Sequence, residues 1–202
     1  PWAGVVKMLA LTAQRRSEVT GMKWAEIDEK AALWRIPASR AKNDTPHEVP
    51  LSAAVLAILR AIPRIEGCPY VFTTGREGGK KATKKAADFR PVYLGAKAKA
   101  NLDNLILAAR KKADLKAEDM PHWTWHDLRR SVVTGMAELG VAPHVADAIL
   151  NHKQGIVRGV AKIYNLAVYP ADKRRALDLW SEKLLAASRG EKPSAKVIKI
   201  AG

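Results

Sequence analysis

Val5, Met8, Leu9 and Leu11 recur at helical spacing, and the run passes through Thr12-Ala13-Gln14 into a shorter helical stretch carrying Arg15, Glu18, Val19 and Met22. From Trp24 the pattern changes. Trp24, Ile27, Leu33, Trp34, Ile36, Val49 and Leu51 sit in short segments rich in aromatic and branched residues, interrupted by Asp28-Glu29-Lys30 and Asn43-Asp44. This predicts a small antiparallel sheet, with Leu33 to Ile36 paired to Glu48 to Leu51 and the loop Ser39 to Pro46, which holds Lys42, projecting and mobile. Residues 52–62 predict a helix, Tyr70-Val71-Phe72 a short extended piece, and Leu102, Leu105, Ile106 and Ala109 a helix with a basic end. The clearest helical signal starts near Trp125 and runs through Leu128, Val132, Met136 and Leu139. Gly140 to Pro143 breaks it, and Pro143 suits the first position of a helix from His144 to about Leu150. A last helix, about Ala171 to Ala187, shows Leu177, Trp180, Leu184 and Leu185 on one face. Beyond Arg189 a linker leads to Lys196-Val197-Ile198-Lys199-Ile200, which alternates like a strand and suits pairing with another molecule's sheet edge. A frayed tail is the bland alternative.

Composition narrows the partners. With 202 residues and 48% hydrophobic content the chain can bury one core. The 35 Lys and Arg against 20 Asp and Glu give +15, which suits a polyanion such as nucleic acid, with an anionic membrane surface as competitor. Residues 76–116 hold twelve basic side chains against four acidic ones, eight of the fifteen net charges. That segment, with Lys80, Lys81, Lys84 and Lys85, reads as a surface tracking a phosphate backbone, or as a solvated lysine-rich face. No apolar run spans a bilayer and no signal segment opens the chain, so a cytoplasmic protein is expected. Cys68 stands alone, which excludes an internal disulfide framework and a cysteine-rich metal site. The first residue, Pro1, suggests a fragment of something longer.

Candidate chemistry centres on residues 121–139. Thr124 and Asp127 have the form of a capping box. The helix they start carries His126 in its first turn and Arg129 one turn on, where backbone N–H groups and the macrodipole favour an anion. Arg130 adds a further positive charge beside them. Upstream, Arg15 and Glu18 stand three apart, so the carboxylate could hold the guanidinium in one rotamer. Surface arginines, a packing histidine and an ordinary ion pair are the bland readings of the same residues.

The order of these features is informative. Thr12-x-x-Arg15-x-x-Glu18, Lys42 ahead of Val49-Pro50-Leu51, His126-Asp127-Leu128-Arg129, Leu150-Asn151-His152 and Tyr164 occur in the order found in tyrosine recombinases. Over nearly its whole length the chain resembles the catalytic domain of phage-type integrases, particularly those of prophages and genomic islands, whose phrases are close to Glu18-Val19-Thr20-Gly21-Met22-Lys23-Trp24 and Leu150-Asn151-His152. The resemblance implies a mainly α fold with a small three-stranded antiparallel sheet, shared with type IB topoisomerases, and a catalytic domain over 1–188 followed by an intersubunit segment over 189–202. It also implies site-specific recombination of double-stranded DNA, with integration and excision of a mobile element. The expected protein is a monomer alone and a tetramer on DNA, with accessory proteins left open, and works without metal, ATP or any cofactor. A missing N-terminal helical domain would clamp the other face of the DNA. Ala13 and Asn151 depart from the family pattern, each replacing a usual glycine, and the segment between Val71 and His126, where DNA contacts are expected, is longer than the pattern.

Phosphodiester chemistry gives each residue a task. Arg15 and Arg129 supply planar forks for the non-bridging oxygens, and His152 a third donor. Tyr164 is the nucleophile candidate, its phosphotyrosyl link preserving bond energy for rejoining; Tyr169 is its rival. His126 would handle the tyrosine proton, and Lys42 would protonate the leaving 5′ oxygen. By resemblance the product is a 3′-phosphotyrosyl link with a free 5′ hydroxyl. His122, His126 and His152 are weighed as metal ligands and set aside, because attack by tyrosine requires no ion. The competing functions are a non-catalytic basic DNA-binding module and relaxation of the topoisomerase IB kind.

Overall fold

In the computed structural model, residues 1–77, 89–114, 116–152 and 169–191 are described. Helix α1 (Trp2–Thr12) buries Val5, Met8, Leu9 and Leu11, the apolar stripe visible in its sequence, and a short α2 (Arg16–Thr20) follows it. Three strands come next, β1 (Ile27–Asp28), β2 (Leu33–Ile36) and β3 (His47–Pro50), antiparallel in the order β1-β2-β3. Trp34 faces Val49 and Ile36 faces His47, so the second hairpin sits one residue earlier on β3 than the pattern of branched residues predicts. His47 and Val49, two apart on one face, are both buried.

Helix α3 (Ala53–Arg60) begins at Ser52, whose Oγ accepts the N–H of Val55 at 3.4 Å and receives the hydroxyl of Ser181 at 2.8 Å. A second sheet, β4 (Thr73–Glu77) against β5 (Phe89–Pro91), was not legible in the sequence: the extended piece predicted at Tyr70 to Phe72 lies just before it. Cys68 is buried. Helix α4 (Ala96–Ala113) forms where Leu102, Leu105 and Ile106 predict it but has no buried residue; Leu105 is 68% exposed. Its periodicity marks a helix, yet Leu102 and Ile106 are only half-buried, with Trp123 lying against Lys99 and Asp103 of the same helix.

Helices α5 (Trp125–Glu138), α6 (Pro143–Leu150) and α7 (Pro170–Ser188) agree with the predicted spans to within a residue or two. The α5 start is the predicted capping box: the Asp127 carboxylate accepts the backbone N–H and the hydroxyl of Thr124, both at 2.8 Å. Helix α1 lies against α5 and α7, and α7 also packs on α6 and β3, so one core joins both ends of the chain. Gly135 lets α5 approach α7. A Cβ there would stand 2.1 Å from the Trp180 ring, which is fixed by Nε1 donating to the Ala10 carbonyl at 2.7 Å. Among the described residues no helix is long and apolar enough to cross a membrane.

Candidate active site

The turn between α1 and α2 is made by Ala13, whose φ of 57° is left-handed. It reverses the chain so that Arg15 opens α2 one turn before Glu18. Glu18 Oε2 accepts the Arg15 backbone N–H at 2.9 Å and Oε1 lies 3.3 Å from Arg15 Nη1. Glu18 is buried, so the pair predicted from the sequence is not an ordinary surface contact; the carboxylate is shielded and its partner is fixed from two directions.

The C-terminus of α6 is the point on which the other elements converge. A helix leaves its last carbonyls without intrahelical partners and carries partial negative charge there. Here side chains from four segments fill those positions. Ile149 O accepts from Gln14 Nε2 and His47 Nε2, each at 3.0 Å. Leu150 O accepts from Arg129 Nη2 at 2.5 Å, and Asn151 O from Asn43 Nδ2 at 2.5 Å. Arg129 Nη1 also donates to Ala13 O at 2.5 Å, so one guanidinium bridges the α1–α2 turn and the end of α6. Asn151 itself closes the helix at a φ of 49°. Both residues that replace a usual glycine thus fall on left-handed positions, where glycine is the residue with least strain.

Electrostatics follow from this burial. Arg129 is 4% exposed, and its pKa is pushed down to about 10, first by burial and then by the neighbouring Arg15 charge, with Glu18 opposing. It remains a cation at neutral pH. Arg15 is bonded to the Glu18 carboxylate, whereas Arg129 has spent two of its five N–H donors on backbone carbonyls. His47 is held neutral, its pKa pushed down to about 4 by burial and then by the Lys173 charge. Because Ile149 O can only accept, the His47 proton sits on Nε2.

The remaining candidates occupy the rim. His152 is exposed and begins just past the α6 cap, its Nδ1 3.3 Å from Asp147 Oδ1. Lys42 is exposed beside Asn43, on a loop that the sequence predicts as projecting and mobile but that is tied down on both sides of the lysine. His126 is exposed on the first turn of α5. Arg130 is exposed and paired with Asp127 at 3.2 Å. The Asp127 carboxylate also stands at this helix start, its pKa held down to about 2 by Thr124 and then Arg130. Away from that helix start, Arg129 is buried and Arg15 is half-buried. Tyr169, the rival tyrosine, precedes α7 at a φ of 43° with its ring 4.8 Å from that of His144. Among the described residues no three His, Cys, Asp or Glu side chains gather as a metal site. Tyr164, Lys80, Lys81, Lys84, Lys85 and the stretch 196–200 lie outside the described residues.

Gln14, Asn43 and His47 were not singled out from the sequence. Only His47 left a signal, since strand alternation places it on the same face as Val49. The other two act on backbone atoms distant in sequence, which no local pattern encodes.

The phage integrase family matches this chain over residues 2–165. The prophage integrase IntA of Escherichia coli (strain K12) is 29% identical over 181 residues, covering 89% of this chain and 38% of the relative. The integrase of Shigella phage Sf6 is 28% identical over 175 residues, covering 86% and 39%. The chain thus spans about two fifths of the length of these relatives. Among solved structures, the integrase from mycobacterium phage Brujita superposes with a TM-score of 0.54 at 15% identity, covering 88% of this chain and 50% of that one. The Tn1549 transposon integrase, in complex with a circular intermediate DNA, gives 0.50 at 15% identity, covering 74% and 50%. At that identity the likeness is one of fold. With the match over residues 2–165 and this architecture, the chain belongs to the phage integrase family.

Proposed function

We propose that this chain is the DNA-cleaving part of a site-specific recombinase that integrates and excises a mobile element, acting on double-stranded DNA through a covalent 3′-phosphotyrosyl intermediate. The observation that carries this reading is the neighbouring pair of Arg15, bound to the buried carboxylate of Glu18, and Arg129, a buried cation bonded only to backbone carbonyls. Keeping a surplus of positive charge in a desolvated place costs stability unless an anion binds there. A phosphodiester offers two charged oxygens to the two forks. The net charge of +15 and the DNA-bound state of the Tn1549 integrase favour the same substrate.

In the proposed step the Tyr164 hydroxyl attacks phosphorus, forming the P–O bond to tyrosine while the bond to the 5′ oxygen breaks. The phenolic proton goes to His126, and the leaving oxygen takes a proton from the Lys42 ammonium. Arg15, Arg129 and His152 hold the non-bridging oxygens as charge builds on them. One phosphodiester replaces another, so the reverse attack by a 5′ hydroxyl reseals DNA without ATP. Residues 1–188 form the catalytic unit, residues 189–202 contact a neighbouring subunit in a DNA-bound tetramer, and Lys80, Lys81, Lys84, Lys85 and Arg130 meet the DNA backbone.

The test uses nicked duplexes drawn from a random-sequence pool by covalent capture on the chain. An adduct lost in Tyr164→Phe and kept in Tyr169→Phe is expected. Salt-sensitive binding with no adduct from any duplex would leave a DNA-binding module without catalysis.

A further inference from the structure

The loop between β2 and β3 is stapled on both sides of Lys42. On its N-terminal side, Arg40 lays its guanidinium along Glu26, with Nε and Nη2 each 2.7 Å from a carboxylate oxygen, and Nη2 also reaches the carbonyl of Glu18 at 3.3 Å. Glu26 is buried and is fixed in turn by the Trp34 indole at 3.0 Å and the Lys23 backbone N–H at 3.2 Å. Room for the guanidinium is left by Gly21, where a Cβ would come within 2.5 Å of Arg40 Nη1. On the other side, Asn43 Nδ2 donates to the Asn151 carbonyl at 2.5 Å. That carbonyl belongs to the peptide leading into His152. The two anchors therefore end on the residue that holds Arg15 and on the peptide that carries His152, while Lys42 between them stays exposed.

We propose that Asn43 and Arg40 are positioning residues, fixing the loop so that the Lys42 ammonium is presented to the leaving 5′ oxygen at a set distance from the arginine pair and His152. This rests on the cleavage reading above and adds to it the origin of the proton donor's placement. An isolated loop lysine on a flexible stem would spend most of its time away from the reacting oxygen, and confining its backbone removes much of that search. Asn43 contributes through its amide N–H alone, because the Asn151 carbonyl is only an acceptor. Its carboxylate analogue offers no donor and repels that carbonyl.

The experiment compares two forms of one captured nicked duplex, with oxygen or sulfur at the bridging 5′ position of the scissile phosphate. A thiolate leaves without a proton, since a thiol ionises near about 8.5 whereas an alcohol does not ionise in water at neutral pH. On the oxygen substrate, Asn43→Ala and Arg40→Lys should cleave about ten- to a hundredfold more slowly than the unsubstituted chain, with Asn43→Asp slower than Asn43→Ala. On the sulfur substrate Asn43→Ala, Asn43→Asp, Arg40→Lys and Lys42→Ala should all return to within a few-fold of it, whereas Arg129→Lys should not. A merely structural weakening slows both substrates alike, and thermal melting checks that Asn43→Ala still folds. The proposal is overturned if Lys42→Ala is rescued by sulfur while Asn43→Ala is not, or if Asn43→Ala cleaves the oxygen substrate normally. Failure of sulfur to rescue Lys42→Ala overturns the proton-donor assignment itself. No adduct from any duplex with the unsubstituted chain overturns the cleavage reading and this proposal together.

Discussion

Arg129 has two roles that only an arginine can combine. Two of its N–H groups satisfy buried backbone carbonyls of Ala13 and Leu150, and the others remain for an anion. A lysine offers one compact charge and cannot bridge both carbonyls while gripping a phosphate. Arg129→Lys should therefore lose about 1–3 kcal/mol of folding stability from an unpaired buried carbonyl, read by urea melts. It should also slow adduct formation about a hundredfold or more. If it cleaves as fast as the unsubstituted chain, the two-fork picture is wrong. His47 gives a second test, in acid. Its folded pKa of about 4 lies below the ordinary 6.5, so on acidification the unfolded chain takes up the proton first. The stability that neutral His47 contributes is complete above about pH 6.5 and is lost as pH falls towards 4, by up to about 3 kcal/mol. His47→Gln, which can still donate to Ile149 O, should flatten the pH dependence of urea melts over that window. An unchanged slope would mean that other groups set it. The sequence singles out Arg129 but not His47, and for both the direction of the guanidinium or imidazole is decided by which carbonyls come within reach after folding.

Among the helices, spacing and caps carry most of the information. The Thr124 and Asp127 capping box sets the start of α5, and Pro143 sets the start of α6, because both act within a turn of their own position. The second sheet and the incomplete burial of α4 were not legible, since pairing and covering depend on neighbours brought from elsewhere in the chain. Close helix packing is another such feature. At the α5–α7 crossing, Gly135→Ala drives a methyl into a Trp180 ring that its bond to Ala10 keeps from swinging aside. A loss of about 1–3 kcal/mol is expected in thermal melts. Adding Trp180→Phe, which shortens the opposing ring, should make the double substitution cost less than the sum of the two single ones. Simple additivity would show that the two residues do not meet.

The molecule as a whole carries +15, and its most basic segment, residues 76–116, is expected to follow a phosphate backbone. DNA affinity should fall linearly in log–log form as salt rises. Replacing Lys80, Lys81, Lys84 and Lys85 together by alanine should reduce that slope by about 0.9 for each phosphate contact removed. Binding titrations at several salt concentrations measure it directly, and a slope identical to that of the unsubstituted chain would remove those lysines from the interface.

Local order belongs to the sequence: the helix spans, the sheet between α2 and α3, the positive charge, and the family phrases around Arg15, Arg129 and His152 can all be read there. Each is fixed by interactions within a few residues or by composition, so the chain states them before it folds. Where the arginines point was decided only in three dimensions. The carbonyls at the end of α6 lack helical partners, and Gln14, Asn43, His47 and Arg129, more than a hundred residues apart at the extremes, supply them. That shared hydrogen-bonding need, rather than any motif, brings the turn after α1, the hairpin and the α5 helix to one place.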